Sequence, residues 1–242
     1  MISEAQRHNM RLAVARLRFP GPTYRDVLSW LHEELRPASY VEIGVFRGDT
    51  LRLAHPPTVV LGIDPVMLPQ AAEGWRTQTH LQQLTSNEFF AKHSLSQFWE
   101  VNRFDLAFVD GLHQFEQALQ DILHLEQYAG PESVVAVHDT IPLDEESARP
   151  DQATTFHTGD VWKLVPVLKQ FRPRLEVTTV WTGPSGLTLI RGFGRDRTGP
   201  PVGAQEVERF KHLPWEYYQQ HHQEFLETIR NERDAVRSWL RK

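Results

Sequence analysis

Residues 175–191 read Leu175-Glu176-Val177-Thr178-Thr179-Val180-Trp181-Thr182-Gly183-Pro184-Ser185-Gly186-Leu187-Thr188-Leu189-Ile190-Arg191. Two strand-like runs, Leu175 to Trp181 and Leu187 to Arg191, are separated only by Thr182 to Gly186. A link that short cannot hold a crossover helix, so the two runs must form an antiparallel hairpin. Everything upstream has the opposite character. There, short apolar runs alternate with helical patterns, which is how a parallel sheet buried on both faces reads in sequence.

The alternation begins with a helix over Tyr24 to Leu35, whose Val27, Leu28, Leu31 and Leu35 share one face. Pro37 ends it, and a strand from Tyr40 to Gly44 follows. Further strands are expected over Val59 to Asp64, His80 to Leu84, Asp105 to Asp110 and Ser133 to His138. Phe115, Leu119, Ile122 and Leu123 mark a helix stopped by Gly130-Pro131. After Gly192-Phe193-Gly194 a polar linker is expected to about Gln205. Trp215, Tyr218, His222, Phe225, Ile229, Val236 and Leu240 then fall at three-to-four spacing, which predicts one long closing helix of ~40 Å. The fold class is therefore α/β, a doubly wound, mostly parallel sheet ending in an antiparallel hairpin. Residues 1–204 are expected to form the domain, with its core in 24–192, and residues 205–242 a helical extension packed on it.

Composition narrows the classes of function. The 242 residues carry a formal net charge of -5, which gives no reason to expect a nucleic-acid partner. The absence of cysteine excludes disulfides, thiolate zinc sites and a cysteine nucleophile. No apolar run is long enough to span a bilayer, and the first residues read as an amphipathic helix, so a cytoplasmic protein without a membrane partner is expected.

In a parallel sheet ligands bind beyond the strand ends, so those residues carry the functional signal. The first strand runs into Glu42-Ile43-Gly44-Val45-Phe46-Arg47-Gly48-Asp49-Thr50, with glycines four apart and Thr50 expected to open a helix. This spacing is not the G-x-G-x-x-G of dinucleotide sites, and alone it could be a tight turn. Asp64 ends the second strand twenty residues after Gly44, where an acid can accept both ribose hydroxyls of an adenosine, or simply cap a turn before Pro65. The fourth strand leads into Asp110-Gly111-Leu112-His113 and the fifth into His138-Asp139-Thr140. If those strands are neighbours, Asp110 and Asp139 converge, and two such carboxylates call for a shared proton or a hard cation such as Mg²⁺. His138, adjacent to Asp139, faces the other side unless the strand has already ended. His113 is placed in the first turn of the next helix, where it suits a general base held neutral by the helix N-terminus, or is a surface histidine.

Taken together, YVEIGVFRGDT, VVLGIDP, FDLAFVDGLHQFEQALQDI and VVAVHDT resemble class I S-adenosylmethionine-dependent methyltransferases. The similarity is greatest to the bacterial group of macrolide-sugar and cephalosporin-biosynthesis-like O-methyltransferases, and extends more distantly to the catechol type. The resemblance covers about residues 24 to 192. It implies a Rossmann-like, seven-stranded sheet of order 3-2-1-4-5-7-6 with one antiparallel strand. It also implies that Glu42, Gly44, Val45, Phe46, Gly48 and Thr50 line the methionine and ribose side of S-adenosylmethionine, that Asp64 holds the ribose, and that Ser86 and Asn87 lie beside the adenine. Asp110 would touch the cofactor and, with Asp139 and His138, match metal ligands; His113 would match the base. The sequence departs from the pattern at His138, where several relatives carry an acid, and at Thr140, where others carry Asn.

The expected activity is methyl transfer to a hydroxyl of a small molecule, a sugar or natural-product intermediate. The loop Thr140 to Asp160 is expected to act as a substrate lid, followed by a helix N-capped by Asp160 and bearing Trp162 at the acceptor pocket or in the core. The C-terminal stripe is expected to pack within the chain, with homodimerisation through it the alternative. The competing functions are a nicotinamide-dependent oxidoreductase, which Asp64 also suits, and a non-catalytic binding protein of the same fold.

Overall fold

The computed structural model describes residues 3–194 and 202–242. Residues 195–201 of the expected linker, Arg195 to Arg197 among them, lie outside the described residues. The strands are β1 (Ser39–Ile43), β2 (Val59–Ile63), β3 (Thr79–Gln82), β4 (Phe104–Val109), β5 (Ala129–His138), β6 (Glu176–Val180), β7 (Leu187–Arg191) and β8 (Thr228–Ile229). They form one sheet of order β3-β2-β1-β4-β5-β7-β6-β8. β1 to β5 run parallel; β7 pairs antiparallel with β6, as the short hairpin link demands, and also with β5. Among the described residues the sheet therefore has eight strands where seven are expected. The extra one, β8, joins β6 in parallel through Thr179↔Thr228 and Val180↔Ile229.

Helices α1 (Glu4–Arg18), α2 (Tyr24–Leu35), α3 (Ser86–Lys92), α4 (Phe115–Glu126), α5 (Leu164–Phe171), α6 (Ala204–Lys211), α7 (Trp215–Leu226) and α8 (Arg233–Leu240) cover the sheet. The apolar face of α2 packs as its spacing predicts, with Val27, Leu28 and Leu31 fully buried. Two apolar clusters result, one on each face of the sheet. Phe115, Leu119, Trp162 and Phe225 belong to one, and Leu28, Leu31, Phe108 and Trp239 to the other. Among the described residues no helix is long and apolar enough to cross a membrane.

The long closing helix is not formed. Glu227 adopts φ 45°, ψ 62°, a left-handed conformation that ends α7, and its carbonyl accepts a 2.5 Å bond from Thr178 Oγ1 on β6. The reason is spatial. Phe225 and Leu226 pack on one face of the sheet, whereas Val236 and Trp239 pack on the other. A straight helix cannot pass around a sheet edge, so the chain crosses it as β8. Arg233 and Arg237 then bind Glu34 of α2, at 2.7 and 2.8 Å.

Smaller departures follow the same principle. α4 ends at Glu126, and Gly130 and Pro131 lie inside β5, where the register against β4 slips between Phe104 and Leu106. Ser133 supports the irregularity by accepting from Gly130 N–H at 2.8 Å.

Candidate functional site

The C-terminal ends of β1, β2 and β4 open into a cavity of about 820 Å³. Its walls are built first by the loop after β1. Gly44 has φ 93°, and a Cβ there would sit 2.0 Å from the carbonyl oxygen of Asp110. Glycine therefore lets the β1 and β4 exits lie against each other. Gly44, Val45, Phe46 and Thr50 line the cavity. Gly48 stands back, under the Trp75 ring. Thr50 opens only a 3₁₀ turn, Leu51–Leu53, rather than an α-helix.

Glu42 lies beneath this loop, fully buried, and is not part of the cavity wall. Tyr40 hydroxyl donates to its Oε2 at 2.6 Å and Thr50 hydroxyl to its Oε1 at 2.8 Å. Burial outweighs both bonds and pushes the carboxyl up to about 8. Asp64 reaches the cavity from the end of β2, and it also organises the loop. Phe46 N–H donates to Oδ2 at 2.8 Å and Val66 N–H to Oδ1 at 2.7 Å. The turn-capping role considered for Asp64 is thus present, and each oxygen keeps a second lone pair for a further donor.

Ser86 lines the cavity at the start of α3, whereas Asn87 points along the surface to Gln117 at 3.1 Å. Asp121 takes a place in the wall that its sequence position does not announce. It accepts from Ser86 Oγ at 2.5 Å and Gln117 Nε2 at 2.8 Å, and burial raises it to about 6. Tyr24 is another wall residue missed in the sequence. Its ring lies 4.0 Å from that of His138, centroid to centroid.

The cluster at the cavity floor depends on β4 and β5 being neighbours, with Val109 opposite Val137. Asp139 has φ 62°, outside the strand region. That turn cancels the alternation of strand side chains, so His138 and Asp139 both face Asp110. His138 Nδ1 lies 3.1 Å from Asp110 Oδ1 and 3.4 Å from Asp139 Oδ1. Its Nε2 is 3.2 Å from Ser185 Oγ, which itself donates to Asp139 Oδ1 at 2.5 Å. Ser185 belongs to the β6–β7 link, which sequence reading treats as a connector only.

His113 sits in the turn before α4, not within the helix. Its Nε2 is 3.5 Å from Asp110 Oδ1, and its Nδ1 is 3.2 Å from Asp139 Oδ2 and 2.8 Å from the His157 carbonyl oxygen. Burial alone would lower its pKa, but Asp139 and Asp110 outweigh burial and raise it to about 9. The expectation of a neutral His113 at the helix start is thus corrected, because two carboxylates are nearer than the helix dipole. Burial also opposes charge on His138 and Asp110, and again pairing prevails. His138 is held well above the usual imidazole range, and Asp110 well below the usual carboxylate range by His138 and His113.

Ligand atoms of Asp110, His113 and Asp139 all lie within 4.8 Å of one another. Asp139 Oδ2 is buried and accepts no hydrogen bond. A buried carboxylate oxygen that accepts no hydrogen bond, with the His113 ring at 3.2 Å and a second carboxylate beside it, fits a divalent cation in place of the imidazolium charge. His113 borders this set; His138, expected as a ligand, is engaged with Asp110 and Ser185.

The loop after β5 is more ordered than its sequence suggests. Ile141, Ser147, Ala148, Phe156 and Thr158 are buried, and the continuous exposed stretch is confined to the tip, from Arg149 to Ala153 with Thr155. Gln152 of that tip reaches the cavity. Asp160 does not cap the turn that follows it; its Oδ1 accepts from Phe115 N–H at the start of α4, at 2.8 Å. Trp162 is 1% exposed and packs on Tyr218 and Phe225, so it is a core residue.

Residues 41–140 match a family model described as a methyltransferase domain. No curated protein matches the chain. Among solved structures, a cofactor-bound protein from MTB aligns with TM-score 0.52 at 17% identity, over 76% of this chain and 88% of its own. An O-methyltransferase from Bacillus cereus in complex with SAH aligns with TM-score 0.50 at 13% identity, over 76% and 89%. An SAH-bound methyltransferase from Podospora anserina aligns with TM-score 0.50 at 16% identity, over 76% and 86%. The chain therefore has the Rossmann-like class I methyltransferase fold, extended here by β8.

Proposed function

We propose that this protein transfers the methyl group of S-adenosylmethionine to a hydroxyl of a small molecule. The observation that carries this reading is the joining of two sites in one cavity wall. A glycine-rich loop braced by Asp64 lies at one end, and Asp110 and His113 lie at the other. The sulfonium is already an activated donor, so the protein has to hold the acceptor oxygen in line with the methyl carbon and remove its proton.

Gly44, Val45, Phe46 and Thr50 would border the methionine and ribose, Asp64 would accept the ribose hydroxyls, and Ser86 would stand by the adenine. Glu42 shapes the loop from below. Only the neutral imidazole of His113, whose population grows as the pH approaches about 9, can take the acceptor proton; it would do so at Nε2, because Nδ1 already faces the His157 carbonyl oxygen. Asp110 and Asp139 orient that ring and stabilise the imidazolium formed. Mg²⁺ or a similar divalent cation would be held by Asp110 and Asp139, with His113 at its edge. Once bound it would polarise the acceptor hydroxyl and take over the charge balance now provided by the imidazoles.

The test is calorimetric titration with S-adenosylmethionine, S-adenosylhomocysteine and a nicotinamide dinucleotide, followed by labelled-methyl transfer into a panel of hydroxylated sugars and phenols. Binding of the first two and label in an O-methyl product are expected. Binding of the dinucleotide alone would replace this reading with an oxidoreductase.

A further inference from the structure

The return arm of the loop after β5, Phe156 to Asp160, lies against His113 more closely than a covering loop requires. Gly159 has φ 58°, and a Cβ built on it would lie 1.5 Å from the His113 carbonyl oxygen and 3.0 Å from His113 Cβ. Only glycine allows that approach. One residue before the adjacent Thr158, the His157 carbonyl oxygen is 2.8 Å from His113 Nδ1, and the two imidazole rings stack at 5.7 Å. On the other side of Gly159, Asp160 Oδ1 caps the Phe115 N–H, two residues after His113.

The arm is itself anchored at both ends. Thr158 N–H and hydroxyl both donate to the Ser147 carbonyl, at 3.0 and 2.8 Å, closing the neck of the loop below its exposed tip. Asp160 Oδ2 is paired with Lys163 Nζ at 3.0 Å, and Lys163 also donates to the Lys211 carbonyl at 2.5 Å. A sequence stretch that would otherwise flap is thereby tied to the core at the points where it touches His113.

We propose that residues 156–160 form a positioning strap for His113, with Gly159 the residue that permits it. The strap holds Nδ1 toward the His157 carbonyl and so presents Nε2 to the cavity. It acts through His113 and touches no reacting atom, so Gly159, Thr158 and Asp160 are positioning residues. Its consequence for turnover rests on the proposed role of His113 as base, whereas its structural content does not.

Two measurements test it. Amide hydrogen exchange of the unaltered protein should show Phe115 and Thr158 opening together, at least ~10-fold more slowly than the tip residues 151–153. In Gly159→Ala both amides should exchange faster while the tip is unchanged. S-adenosylhomocysteine affinity should stay within ~3-fold, and kcat should fall ~10-fold or more with little change in KM for the donor. In a double-mutant cycle, Gly159→Ala added to His113→Ala should cost almost nothing further. Exchange of Phe115 and Thr158 as fast as the tip in the unaltered protein overturns the strap, even if Gly159→Ala does not fold. So does a double variant in which the two defects multiply. Full activity of His113→Ala would remove the base, not the strap, because the exchange pattern still reports on the strap.

Discussion

Ser185 Oγ donates a 2.5 Å hydrogen bond to Asp139 Oδ1, so the antiparallel hairpin reaches back to hold a carboxylate at the end of β5. Asp139 stands in the left-handed region at φ 62° and depends on such contacts to stay there. Ser185→Ala should destabilise the protein by ~1–3 kcal/mol, the usual cost of a buried acceptor losing its partner. Methyl transfer should fall with it while donor binding is retained. Chemical denaturation and calorimetry on the same variant check the two effects. A variant of parental stability and activity would show that Asp139 is held by its other neighbours alone.

Asp64 joins the loop after β1 to the cavity. Replacing it with alanine should weaken S-adenosylhomocysteine binding by ~1–3 kcal/mol, because ribose hydroxyls lose their acceptor. The Phe46 and Val66 amides also lose theirs, so a lower melting temperature is expected in the same experiment. Unchanged affinity would place the ribose elsewhere.

Glu42 predicts a pH effect on stability. Its carboxyl is raised from 4.5 to about 8 in the folded chain, so between those values the folded state holds a proton that the unfolded state releases. Stability from this group therefore falls as pH rises across that window, by at most ~1.4 kcal/mol per pH unit. Glu42→Gln keeps the shape and removes the titration. Urea unfolding from about pH 5 to pH 8 should show a shallower slope for the variant; parallel slopes would mean that Glu42 is ionised in the fold.

The loop after β5 should be cut by protease only at its tip. Arg149 is exposed there, whereas the neck is closed by Ser147 and Thr158. Limited digestion of the free protein with a protease of broad specificity should cut first among the exposed tip residues 150–153, and the cut should be suppressed when donor and acceptor are both present. Early cleavage elsewhere in residues 140–160, or none at all, would contradict this division.

The cation proposal has a readout independent of turnover. Saturating Mg²⁺ or Mn²⁺ should raise the melting temperature, since a ligand at ~100-fold its Kd stabilises by ~2.7 kcal/mol. Asp139→Asn should abolish the shift. The same result with Asp139→Asn as with the parent would remove the cation from this site, and His113 would be judged on its own rate defect.

Much of this architecture is visible in one dimension because it follows from local rules. The alternation of apolar runs and helical stripes defines a parallel sheet, and the five residues from Thr182 to Gly186 force the hairpin. Gly44, Asp64, Asp110 and Asp139 can be picked out because strand ends are where ligand-facing residues accumulate. What the sequence could not decide is anything that depends on which face, or which distant segment, a residue meets. The stripe from Trp215 to Leu240 has the period of one helix, yet its two halves bury against opposite sides of the sheet, so Glu227 had to break it. Strand alternation sends His138 away from Asp139, but a single left-handed residue brings both to Asp110. The charge state of His113 reverses for the same reason. Helix position is local, whereas the two carboxylates that outweigh it come from the ends of separate strands and meet only in the folded chain.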